Sequence, residues 1–135
     1  MGAKRFLALW RFLCCLPGMP CLYYGDEAGL TGMADPYCRE PYPWGREDTS
    51  LREAVRAAIL LRNESYALKT GALRVRALAE DAILVIRETQ NGRDAFDAPC
   101  PDEKICLILN RAETPFVFEG KSIPPLSAEF VEVTV

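Results

Sequence analysis

The sequence predicts an α+β chain, with a helical half that ends near residue 70 and a small antiparallel sheet or sandwich after it. Three observations predict it. Apolar side chains occupy nearly every face of residues 3–16 and recur at helical spacing over residues 50–63. After Gly71 the spacing becomes alternation, with Leu73, Val75 and Ala77 set against Arg74 and Arg76. Between the helical stretches, glycines and prolines crowd residues 25–48.

The first helix, residues 3–16, carries Phe6, Leu7, Leu9, Trp10, Phe12, Leu13 and Leu16. A helix apolar on most faces is packed between layers. Pro17-Gly18 ends it, because proline breaks the hydrogen-bond ladder and glycine accepts open backbone angles. Lys4 and Arg5 ahead of this run imitate a signal peptide, but Arg11 interrupts it and no small-x-small cleavage site follows. Cys21-Leu22-Tyr23-Tyr24 is apolar without alternation, as expected of a short strand covered on both faces.

Residues 25–48 read as a long loop, and loops of that length are usually functional or disordered. Tyr37, Tyr42 and Trp44 argue against disorder. Ser50 and Glu53 form a capping-box pattern for a helix over 50–63, with Leu51, Val55, Ala58, Ile59 and Arg62 on one stripe. Arg52, Arg56 and Arg62 read as solvated positions whose stems cover apolar surface. A short helical extension follows over 64–68, and Gly71 closes the helical half.

Strands are predicted at 73–77, 83–86, 105–109, 115–118 and 129–135. Asn91-Gly92, Asn110-Arg111, Glu119-Gly120 and Pro124-Pro125 punctuate them. The sequence divides at residue 70, giving units 1–70 and 71–135. Phe96, Phe116, Phe118 and Phe130 are expected in the core of the second unit.

Composition excludes several chemistries. The chain of 135 residues has a net charge of −3 and gives no reason to expect nucleic acid or an anionic membrane as partner. It contains no histidine, which removes Ser-His-Asp and Cys-His catalysis and histidine-held metals. The six cysteines have no Cys-x-x-Cys spacing and read as buried free thiols, which points to a reducing, cytoplasmic setting. No cofactor and no metal are expected.

The richest stretch is Pro17-Gly18-Met19-Pro20 with Tyr23-Tyr24-Gly25-Asp26-Glu27, followed by Gly29-Leu30-Thr31-Gly32 and Asp35-Pro36-x-x-Arg39-x-Pro41-x-x-Trp44. These linked motifs resemble the C-terminal part of glycoside hydrolase family 13, the α-amylase family. The resemblance is closest to its neopullulanase, cyclomaltodextrinase and maltogenic amylase branch. It is specific over residues 3–70. Residues 71–135 match by position and strand pattern alone.

The resemblance implies that residues 1–70 are the last βα portion of a (β/α)8 TIM barrel, comprising helix 7, strand 8, a loop and helix 8. Residues 71–135 would be the small antiparallel β-sandwich domain behind it. The family's retaining mechanism uses carboxylates at strands four, five and seven. All of these fall outside the present sequence, so no catalytic residue is assigned and the chain alone is expected to be inactive. Its expected partners are an α-glucan oligosaccharide and the missing N-terminal barrel portion.

By the same resemblance, Asp35 and Arg39 contact glucose units. A carboxylate accepts sugar hydroxyls and a guanidinium donates several directed hydrogen bonds. On residue type alone, Asp35 equally caps the turn at Pro36, and Arg39 equally pairs with Asp35 or Glu40. Asp26 and Glu27 read as structural acceptors of loop N–H groups, Tyr23 and Tyr24 as core. Trp44 either stacks on a pyranose or pins the loop, with pinning favoured. The alternative function is a non-catalytic carbohydrate-binding or interaction module built on the β-unit.

Overall fold

Strand pairing organises the second half of the molecule, and helices cover one of its faces. The computed structural model describes residues 2–133. Helices α1 (Ala3–Cys15), α2 (Thr49–Glu64) and α3 (Tyr66–Thr70) precede strands β1 (Ala72–Ala79), β2 (Ala82–Thr89), β3 (Glu103–Asn110), β4 (Phe116–Phe118), β5 (Lys121–Ile123) and β6 (Ser127–Val131). A four-stranded antiparallel sheet has the order β1-β2-β3-β6, and β4-β5 forms a separate hairpin. The expected α+β organisation with antiparallel sheets is present.

The apolar runs of β2 and β3 follow from this layering, since both faces of these strands are covered. Val85, Leu107 and Leu109 point to the helical layer and join Ala8, Cys15, Leu68 and Ala128. Leu84, Cys106 and Ile108 point the other way and meet Ile123 and Phe116 of the hairpin. β1 lies at the sheet edge beyond both covers, which leaves its alternating Leu73, Arg74 and Val75 exposed. A third cluster joins the helices, with Trp10 and Cys14 of α1 against Leu51, Val55 and Ala58 of α2.

Two buried guanidiniums lock the end of α1. Arg62 is 7% exposed and donates to the carbonyls of Cys14 (2.6 Å), Leu16 (3.1 Å) and Gly18. Arg87 of β2 is 1% exposed and donates to the carbonyls of Cys15 (2.7 Å) and Gly71 (2.8 Å). The last carbonyls of a helix have no partner within it and carry its negative dipole end, so cations are favoured there. Arg62 is thus not solvated as its charge suggests; its place on the apolar stripe decides its burial.

Other expectations are corrected by the packing. Cys21–Tyr24 forms no strand, and Tyr23 and Tyr24 are exposed. A lone segment has no ladder partner within the described residues. The α2 cap is Asp48, two residues before the expected Ser50-Glu53 box; its carboxylate accepts the Leu51 N–H at 3.0 Å and the Ser50 hydroxyl at 2.7 Å. The expected extension over 64–68 is a separate helix, restarted at Ser65, whose hydroxyl accepts the Leu68 N–H. β5 is an unpredicted strand, too short for a period to register. The last strand ends at Val131 instead of running to 135, and Thr134 and Val135 lie outside the described residues. Phe96 is 80% exposed, not core. Cys14, Cys15 and Cys106 are buried as expected, but Cys21 is exposed and Cys38 and Cys100 are half-buried.

Burial, reinforced by the neighbouring Cys14, pushes the Cys15 thiol up to about 12. Its thiolate is therefore scarce at neutral pH. A thiol reagent applied to the native chain labels Cys21 first and Cys14, Cys15 and Cys106 only on unfolding, as read by mass spectrometry; early labelling of Cys15 contradicts this packing. Arg87→Met removes two bonds and strands two buried carbonyls. It costs on the order of 3 kcal/mol, seen as a lowered urea midpoint with an unchanged slope. An unaltered midpoint means that α1 is held without Arg87.

Candidate functional site

The loop from Gly25 to Asp48 is tied at its foot and open at its rim. Gly25 has φ 88°, and a Cβ there would stand 2.7 Å from Leu30. That left-handed turn lets the Gly25 carbonyl accept from both Ala28 (3.0 Å) and Leu30 (2.9 Å). The Glu27 carboxylate accepts the Gly25 N–H at 3.0 Å. Asp48 closes the loop, its N–H donating to the Ala28 carbonyl at 3.0 Å while its side chain caps α2.

Asp26 and Glu27 occupy a short 3-10 turn, Asp26–Ala28, not an extended segment. Glu27 plays the expected acceptor role, though within its own turn rather than toward the following loop. Asp26 is half-buried; burial, then the adjacent Glu27 charge, raises its pKa. Burial also raises the Tyr42 pKa, with the Glu27 and Glu47 charges adding to it.

Asp35 and Arg39 stand on the rim. A turn places them together, with the Tyr37 N–H bonded to the Ala34 carbonyl and the Arg39 N–H to the Pro36 carbonyl. Asp35 Oδ1 accepts from Arg39 Nε at 2.8 Å, and both side chains are mostly in water. Of the readings drawn from residue type, the pairing of Arg39 with Asp35 is present, whereas the turn at Pro36 is closed by backbone bonds and the Asp35 carboxylate accepts from Arg39 instead of capping it. An exposed pair of this kind contributes about 0–1 kcal/mol, so its groups exchange partners at little cost.

Two aromatic pairs stand on this loop and the segment leading into it. Tyr23 and Tyr24 lie 4.9 Å apart, Tyr42 and Trp44 4.6 Å apart. The Tyr24 hydroxyl donates to the Glu40 carbonyl at 3.0 Å and props the rim. Trp44 is 80% exposed and rests on Tyr42, so it does not pin the loop to the described residues. The sequence missed the roles of Asp48 and Arg62 here. The spacing of Asp48 to Leu51 and the stripe position of Arg62 were the available signals.

No family model matches the chain. It is 41% identical over 97 residues to an amylopullulanase of Thermoanaerobacter thermohydrosulfuricus, covering 72% of this chain and 7% of that protein. It is 30% identical over 128 residues to a cyclomaltodextrinase of Geobacillus thermopakistaniensis, covering 93% of this chain and 19% of that one. The solved cyclic alpha-maltosyl-(1→6)-maltose hydrolase of Arthrobacter globiformis, in complex with its substrate, superposes with a TM-score of 0.77 at 27% identity, covering 95% of this chain and 30% of that one.

These likenesses, together with the motifs of the loop, define the class. The chain belongs to the α-amylase family of glycoside hydrolases, family 13. Its relatives there are amylopullulanases, cyclomaltodextrinases and maltogenic amylases, and it spans only a small part of each. Among the described residues no helix is long and apolar enough to cross a membrane.

Hydrogen bonds from Leu51 and Ser50 hold the Asp48 carboxylate below its ordinary value. The contribution of this cap is complete above the unfolded-state pKa and is lost as pH falls through the lower, folded value. Urea unfolding from pH 7 downward therefore shows stability falling below about pH 4. Asp48→Asn, which keeps the cap without the titration, flattens that part of the curve. An identical pH profile in Asp48→Asn removes the cap from the account.

Proposed function

We propose that this chain works with the remainder of an α-amylase-family enzyme in hydrolysis or transfer of α-glucosidic bonds. Its substrates would be maltooligosaccharides, cyclodextrins or related α-glucans. The observation that carries the reading is the match to a cyclomaltodextrinase over 93% of the chain, a share wide enough to include the loop bearing Asp35 and Arg39. In this reading Asp35 and Arg39 bind glucose units, and the reacting carboxylates come from the rest of the enzyme.

The same reading makes residues 1–70 the closing portion of a (β/α)8 barrel and 71–135 its C-terminal β-domain. The unpaired stretch Cys21–Tyr24 supports it, because a parallel strand needs neighbours from elsewhere in the barrel. Exposed Leu9 and Leu13 on α1 and Tyr23 on that stretch support it too, as surface that the remaining barrel would cover. The unpaired thiols are in keeping with a reducing, cytoplasmic setting.

A chimaera tests the reading. Residues 3–133 replace the matching segment of the Geobacillus cyclomaltodextrinase, and cyclodextrin hydrolysis is followed. Hydrogen bonds to charged groups contribute about 1.5–3 kcal/mol. Asp35→Ala in the chimaera therefore raises KM about ten- to a hundredfold with little change in kcat. The 135-residue chain alone releases no reducing sugar. Unchanged KM in Asp35→Ala removes the substrate-binding role, and an inactive, folded chimaera removes the functional reading.

A further inference from the structure

The β2–β3 connection holds an aromatic ring in water on a rigid support. Its backbone folds back on itself: Gln90 and Arg93 bond each other, the Asp94 N–H meets the Ala98 carbonyl at 3.0 Å, and the Cys100 N–H meets the Gly92 carbonyl at 3.0 Å. Asp94 Oδ1 accepts the N–H groups of Phe96 and Ala98, each at 2.9 Å, and these bonds hold its pKa down, the Ala98 bond most. Asp102 Oδ1 accepts the Gly92 N–H at 2.6 Å. The Ala95 N–H reaches the Thr70 carbonyl at the end of α3, at 3.0 Å, and fastens the tip to the helical layer. Phe96 nonetheless remains 80% exposed, and Asp97 beside it has φ 66°, a conformation few non-glycine residues adopt.

We propose that the Phe96 tip is a second α-glucan contact, with the ring lying against the C–H face of a pyranose and Arg93 and Asp97 taking its hydroxyls. The proposal rests on the α-glucan reading above and adds a separate subsite to it. Arg93 Nη1 donates to the Asp97 carbonyl at 2.6 Å, and its Nε lies 3.4 Å from Asp97 Oδ1. This puts a paired guanidinium and carboxylate in the same turn as Phe96, both largely in water.

The surroundings favour a sugar over a protein. An aromatic anchor in a protein interface sits among contacts that exclude water, and charged residues are depleted from interface cores. Phe96 shares its exposed turn with the charged residues Arg93, Asp94 and Asp97. Neutral polyols bind to such a mixture, because planar charged groups direct hydrogen bonds to hydroxyls while the ring covers the apolar face. The pre-formed tip also spares the ordering entropy that a mobile loop would lose on binding. The subsite is distinct from the Asp35 loop. That loop is tied to the start of α2 through Asp48, whereas Phe96 lies past its far end, and the 16 residues of α2 span about 24 Å.

Titration of the 15N-labelled 135-residue chain with maltoheptaose tests this. Amide signals of residues 93–98 are expected to shift saturably. Phe96→Ala is expected to weaken the affinity about tenfold or more, and Phe96→Trp to retain it. Both variants alter an exposed side chain, and their dispersed spectra confirm folding. Equal affinity in Phe96→Ala, or no shift in residues 93–98, overturns the proposal. Shifts confined to residues 25–48 overturn it while leaving the Asp35 reading in place. Self-association abolished by Phe96→Ala, without response to the sugar, assigns the ring to a second copy of the chain and also overturns it.

Discussion

The carboxyl end of α1 is where the fold is tied together. Four carbonyls of residues 14–18 receive hydrogen bonds from two guanidiniums, Arg62 on α2 and Arg87 on β2. Each cation answers the negative end of the helix dipole and satisfies acceptors that the helix cannot. Arg62 fixes α1 to α2 and also fixes the Pro17-Gly18 turn that launches the segment toward Tyr23. Arg87 fixes α1 to the central sheet and to Gly71. Desolvation and the nearby Arg62 charge push the Arg87 pKa down, so these contacts form against a burial penalty that the carbonyls offset. Arg11 adds a further tie, donating to the Ala128 carbonyl at 2.9 Å. The helical half and the sheet therefore share one core instead of meeting at a loose boundary.

That scaffold explains how a long loop stays shaped with one short 3-10 turn as its regular structure. Gly25, Glu27, Ala28 and Asp48 fix its foot, and the α2 cap belongs to the same set of bonds. Above the foot, polar and aromatic groups stand in water, with Asp35 and Arg39 joined only by an exposed ion pair. A loop with a fixed foot and an open rim suits binding, since its groups are pre-placed while their hydrogen-bonding capacity is cheaply released.

The sequence made α1, α2 and the main strands legible because each has a strong period or a clear terminator. β2 and β3 read as continuous apolar runs, and the two covered faces of the sheet account for that. Where local pattern and tertiary context disagreed, context won. Ser50-x-x-Glu53 is a proper capping pattern, yet Asp48 caps the helix because the chain enters from the Ala28 turn. Arg62 carries a charge that argues for solvent, yet its stripe position and the bare carbonyls of α1 bury it. Tyr23-Tyr24 reads as a buried strand because its pattern presupposes neighbours on either side, and the described residues provide none. The pairing of Asp35 with Arg39 was visible as spacing, but the rigid exposure of Phe96 was not, since the bonds that shape its turn come from the Asp94 side chain and the distant Thr70 carbonyl and leave no local apolar pattern.

The central claim is that this scaffold presents Asp35 and Arg39 to an α-glucan. A crystal structure of the active chimaera with maltotriose bound tests it most directly. The account predicts Asp35 and Arg39 within hydrogen-bond distance of the hydroxyls of one or two glucose units, on a loop whose foot is unmoved. A bound sugar that leaves both side chains paired with each other and out of reach would contradict it.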